Sequence, residues 1–163
     1  MVVAAKGVLR FVDLAESIAA TLAYLVVAGL LIGDVLGREL LGAGIFGAQK
    51  MAVYAAVVAG FLGLALATSA NTQLRPAFLD HLLRGPVVDR VGDAFACLFY
   101  LFLTVVALQF IQQSMEFEDR AAVLYWLLWP IQIVIPYALA STALRHGIFA
   151  GWPILKPAKA GAA

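Results

Sequence analysis

Charge is what this sequence has least of. Of its 163 residues only 13% are charged while 64% are hydrophobic, against about 25% and roughly 45–50% in an ordinary soluble domain. A water-facing surface cannot be covered from so small a supply, which excludes a soluble globule. The few charges also cancel to a net +1, so there is no basic stripe for a phosphate backbone, and no nucleic-acid partner is expected. Cysteine is nearly absent: Cys97 is alone, which rules out an intramolecular disulfide. With only His81 and His146 beside it, a Cys/His zinc cluster is excluded as well. The chain holds no nucleophile elbow, phosphate loop, zincin helix or Cys-x-x-Cys, and an enzyme is not expected.

What the chain does have is long uncharged runs, at 17–33, 51–74, 94–115 and 121–144. At 1.5 Å per residue, about 20 helical residues cross the roughly 30 Å hydrocarbon layer. Backbone groups in lipid must pair within their own segment, and these runs lack the alternation of barrel strands. An all-α membrane protein follows, a single integral domain over 1–163 with spans near 14–37, 51–72, 92–114 and 121–145. The first run is short and is expected to extend past Asp34, with Arg38 snorkelling to the interface. Asp13 and Glu16 interrupt the n-region that a signal peptide would need, so an uncleaved first helix is expected.

The sparse charges orient the spans. Lys6, Arg10, Arg75, Arg84, Arg90, Arg145, Lys156 and Lys159 fall on one side, and Arg38, Lys50 and Arg120 on the other. The positive-inside rule then puts both termini in the cytoplasm. The outer side also carries Asp34, Glu39, Glu116, Glu118 and Asp119, for a net −2 against +3 inside. Ionisable groups appear almost absent from the bundle interior on this reading. Trp126, Trp129 and Trp152 sit where interfacial anchors belong.

Several patterns point to packing rather than chemistry. Gly29, Gly33 and Gly37 recur every four residues, as do Ala55, Ala59, Gly63 and Ala67. Such ridges let helix backbones approach, either within this chain or against another membrane subunit. The stretch 73–85 reads as a short amphipathic helix in the headgroup plane between spans two and three, with Phe78 and Leu82 on one face and Arg75 and Arg84 on the other. Asn71 or Thr72 would cap it and Gly85–Pro86 would end it. Pro130 and Pro136 predict a kink in the fourth helix. Asp34 and Arg38 are one turn apart and can pair. Lys50 opposes the dipole at the start of the second helix, so an acidic neighbour such as Asp34 or Glu39, or one on a partner, is expected. Glu16 is expected near the headgroups beside Asp13 and Arg10, the alternative being a proton site in a self-sufficient small transporter.

The order of these features resembles one family. DVLGREL at the end of the first span, GAQKMAVYAAVVAGFLGLALATSANTQLRPAFLDHLL, and WLLWPIQIVIPYALASTALR at the end are similar to the small membrane subunit, DctQ type, of tripartite ATP-independent periplasmic (TRAP) transporters. The corresponding positions are Arg38, the Phe61-Leu62-Gly63-Leu64-Ala65 run, the Leu74-Arg75 pair and Pro136. The chain departs from the family pattern at Phe46, Lys50 and Gln73, where the family commonly has Trp, Glu and His. The resemblance implies a non-catalytic subunit in the bacterial inner membrane that braces a large multi-span membrane subunit. It also implies a periplasmic binding protein that delivers an organic acid such as a dicarboxylate. Sodium would be bound by the large subunit and no cofactor by this chain. The outer residues Asp34, Arg38, Lys50, Glu116, Glu118 and Asp119 would be candidates for contact with the binding protein.

Overall fold

The computed structural model describes residues 2–72 and 86–157. They form helices α1 (Val2–Leu41), α2 (Ala48–Ser69), α3 (Pro86–Glu116), a short α4 (Trp129–Gln132) and α5 (Val134–Gly151), then a 3-10 turn at Pro153–Leu155. Four stretches are long and apolar enough to cross a membrane: Leu9–Leu41, Ala48–Ser69, Val87–Glu116 and Trp129–Gly151. The chain is therefore an all-α, multi-pass membrane protein. The in-plane helix expected over 73–85, with Arg75, Phe78, Leu82 and Arg84, lies outside the described residues.

The helices form a row. α1 packs on α2, α2 on α5, and α5 on α3. α5 is accordingly the most buried element, whereas most of the α1 and α3 surface is exposed. The contacts follow from small residues: α2 turns Ala48, Ala52, Ala59 and Ala65 inward, and α5 turns Ala138 and Ala143 inward. Lipid offers Leu and Val side chains as good a solvent as a neighbouring helix does, so close backbone approach decides which faces meet.

The helix ends differ from expectation in two places. Asn71, considered above as an N-cap, instead ends α2 in the left-handed conformation at φ 51°. Its N–H reaches Thr68 O at 3.1 Å and that of Thr72 reaches Ala67 O at 2.9 Å, the paired bonds of a Schellman C-terminus. The fourth long helix begins at Trp129, not 121. Ala121 N–H bonds Trp126 O at 2.7 Å and Leu128 N–H bonds Asp119 O at 2.9 Å, folding 117–128 into a tight hairpin-like loop. Val123 (φ 78°) and Tyr125 (φ 58°) cannot be helical. An absence of charge marks apolar sequence and is blind to a turn within it. Pro130 then sits in the first turn of α4, where its missing N–H costs nothing. Pro136 has no N–H to donate to Gln132 O, and the helix is interrupted at Ile133 between α4 and α5.

Candidate functional site

The ionisable residues gather at the two ends of the row. At the end near the termini, Tyr137, Ser141 and Arg145 are spaced by four and so share one face of α5. Arg145 is 1% exposed and Glu16 of α1 is also 1% exposed. The Arg145 guanidinium donates to Glu16 Oε2 at 2.6 Å and to Asp13 Oδ1 at 2.7 Å from one nitrogen, and to Ser141 Oγ at 2.6 Å from another. The Ser141 hydroxyl donates to Glu16 Oε1 at 2.6 Å. Both oxygens of Glu16 therefore accept hydrogen bonds, and α1 is tied to α5 across the row. Burying two charges this fully is tolerable only when each satisfies the other, which this geometry achieves.

A second cluster lies on the adjacent face of α5, towards α3. Asp93 of α3 is buried; its Oδ1 lies 3.1 Å from His146 Nδ1 and its Oδ2 accepts from Lys156 Nζ at 2.6 Å. His146 stacks on Tyr100, with ring centroids 5.7 Å apart and planes 6° apart, and meets Phe149 edge-on. Asn71 Nδ2 donates to Pro157 O at 2.9 Å. The segment after α5 is thus fastened to both α3 and the end of α2. Arg145 Nε and His146 Nε2 are buried and have no hydrogen-bond partner among the described residues.

These clusters correct two expectations. Glu16 has Asp13 beside it as expected, but it is fully buried against Arg145, with both carboxylates on the same guanidinium. The interior is also not nearly free of ionisable groups, since Glu16, Asp93, Arg145 and His146 are all buried. The uncharged run ends at Leu144, one residue short of Arg145, so that cation reads as one at the edge of the span. The polar spacing of Ser141 and Arg145, and of Thr142 and His146, within an apolar helix was the available signal. A carboxylate with both oxygens engaged suits a fixed brace better than a site that loads and releases protons.

The other end is built differently. Asp34 is 3% exposed. Its Oδ2 accepts from Arg38 at 2.6 Å and its Oδ1 from the Ile45 N–H at 2.8 Å. The loop after α1 folds back over this pair, and a Cβ on Gly44 would lie 2.5 Å from Asp34 Oδ1. Gly37 has the same role: its Cβ would stand 2.8 Å from the Ala43 carbonyl oxygen. A Cβ on Gly33 would lie 3.2 Å from Ile45 Cδ1, while one on Gly29 or Gly63 would meet none of the described residues within 4 Å. Gly33 and Gly37 of the α1 ridge thus receive the chain's own following loop, and Gly29 does not. Ala59 is buried between helices. Lys50 is exposed and makes no ion pair among the described residues; Asp34, its expected neighbour, is already taken by Arg38. Glu116, Glu118 and Asp119 are exposed, and Glu118 pairs with Arg120 at 3.3 Å. The two loops at this end touch where Leu124 Cδ2 comes within 2.7 Å of a Cβ position on Gly47.

Among the described residues no group of three His, Cys, Asp or Glu side chains could hold a metal ion. The family model described as "Tripartite ATP-independent periplasmic transporters, DctQ component" matches residues 25–149. The matched stretch includes Ser141, Arg145, Asp93 and His146, whereas Asp13 and Glu16 precede it. No curated protein and no solved structure matches the chain.

Proposed function

The chain belongs to the DctQ component family of tripartite ATP-independent periplasmic transporters, and from that premise we propose that it is a non-catalytic brace for the large membrane subunit. The observation that carries this reading is the Glu16–Ser141–Arg145 cluster, buried between the helices and joined at its edge by half-buried Asp13, which ties α1 to α5. Exposed apolar faces on α1 and α3 leave broad surfaces for a membrane partner. The large subunit would carry substrate and sodium during uptake of an organic acid such as a dicarboxylate. A periplasmic binding protein would deliver it, and no cofactor would reside in this chain. Both termini would face the cytoplasm of a bacterial inner-membrane protein, following the Lys and Arg bias. The outer acidic residues Glu116, Glu118 and Asp119, with Arg38 and Lys50, would then face the binding protein.

Mild-detergent purification of a tagged copy from its native host tests the reading. A large multi-span partner is expected to co-purify, and its absence would sink the idea. Reconstitution of the chain alone separates this role from that of a self-sufficient proton-coupled transporter: the vesicles are expected to be inert, whereas proton-coupled flux abolished by Glu16→Gln would reverse the conclusion.

A further inference from the structure

Two hollows follow one another along the seam between α3 and α5 at the end near the termini. The first, about 510 Å³, is lined by Asp89, Arg90, Asp93 and Lys156 together with Val87 and Pro153. The second, about 500 Å³, is apolar, lined by Cys97, Leu101, Leu144, Gly147, Ile148 and Trp152. Asp93, Cys97 and Leu101 are four residues apart and form one ridge of α3, while Trp152 of the apolar hollow is followed directly by Pro153 of the polar one. The trough exists because small residues form its floor: a Cβ on Gly147 would come within 3.3 Å of Cys97 Sγ.

The dimensions select an occupant. From Arg90 to Leu101 helix α3 rises about 16 Å, half of the roughly 30 Å hydrocarbon layer. Along that length the seam passes from a charged mouth, with exposed Asp89 and Arg90 and half-buried Lys156 on buried Asp93, to Trp152 and then to a wholly apolar floor. This is the polarity profile of one leaflet: charged groups, two of them cations, at headgroup depth, an indole at the interface, hydrocarbon below. Lys156 is held by Asp93 at 2.6 Å, which fixes its ammonium at the mouth and leaves Arg90 as the exposed cation.

We propose that this seam is a site for one membrane phospholipid, its phosphate at Arg90 and Lys156 and one acyl chain in the trough past Cys97 to Leu101. The site depends on the membrane-spanning assignment alone, so its failure leaves the bracing role untouched and the reverse also holds.

The test uses phosphatidylglycerol carrying a photoreactive diazirine in its acyl chain, with the matching phosphate-free diacylglycerol as control. Both are incorporated into nanodiscs containing either the full chain or its complex with the large subunit, and the labelled peptides are mapped. Preferential labelling of the 97–101 and 144–152 peptides by the phospholipid is expected in both samples. Arg90→Ala should lower it roughly fivefold, the effect of one cation near anionic lipid. Ala140→Phe, at the rim of the trough, should abolish it while helicity by circular dichroism is retained. Labelling spread evenly over α1 and α3 would mean bulk lipid only and overturn the proposal. So would equal labelling by the phosphate-free analogue, or loss of labelling in the complex, which would mean that the large subunit covers the seam.

Discussion

The two ends of the helix row are held by different chemistry. Near the termini, side chains far apart in sequence meet in buried ion clusters: Glu16 and Asp13 with Arg145, and Asp93 with His146 and Lys156. At the far end the bonds are local. Asp34 pairs one turn away with Arg38 and caps its own loop, and 117–128 is closed by backbone hydrogen bonds. The difference shows where helix positions are set and where surface is displayed. Long-range ion pairs in low dielectric fix α1 and α3 against α5, whereas the far end builds short loops that carry exposed acidic residues outward.

Breaking the first kind of contact should have the largest effect. Arg145→Ala leaves Glu16 buried without its cation, and removing one partner of a buried pair costs about 3–5 kcal/mol. A large loss of thermal stability in detergent, followed by circular dichroism, is the expected result. Adding Glu16→Gln to that variant should recover part of the loss, because the orphaned charge is gone. If Arg145→Ala unfolds at the same temperature as the parent, the contrast between the ends collapses.

At the far end Asp34→Ala removes two hydrogen bonds, one from a guanidinium and one from the Ile45 N–H. The Arg38 side chain is 56% exposed, so its pair contributes about 0–1 kcal/mol, and the bond from the Ile45 N–H to the carboxylate about 1.5–3 kcal/mol; the expected cost is therefore smaller than at Arg145. The damage should be local: limited proteolysis should cut within 42–47 while the helical signal survives.

Gly47→Val tests the contact between the two far-end loops. Its φ is 73°, a region that costs an L-residue about 1–2 kcal/mol, and Leu124 stands 2.7 Å from the new Cβ. A small drop in thermal stability with faster cleavage of 117–128 is expected, since Leu124 would be displaced.

How much of this was legible in the sequence depends on the range of the interaction. The four spans and the Asp34–Arg38 pair follow from composition and helical spacing, which are local properties, and the family resemblance rests on the order of such local features. The Glu16–Arg145 contact joins residues 129 apart, and no spacing rule reaches that far. Arg145 was visible only as a cation at the edge of an apolar run, where snorkelling and burial look alike. The glycines at 33, 37 and 44 show the same limit: a small-residue ridge announces a close approach, but that the approaching backbone is the 43–45 loop is a fact of the fold.

The smallest effect is expected at the exposed Glu118–Arg120 pair. Its side chains are 73% and 55% exposed, and exposed ion pairs contribute about 0–1 kcal/mol because water and salt screen them. Glu118→Ala should therefore leave thermal stability within about 0.5 kcal/mol of the parent. A charge that contributes so little to its own fold is free to serve a contact outside it. Reversing Glu116, Glu118 and Asp119 to lysine should then leave the helices intact while changing the salt dependence of uptake in the assembled transporter. Unchanged uptake across salt concentrations would mean that the far end displays its charges to water alone.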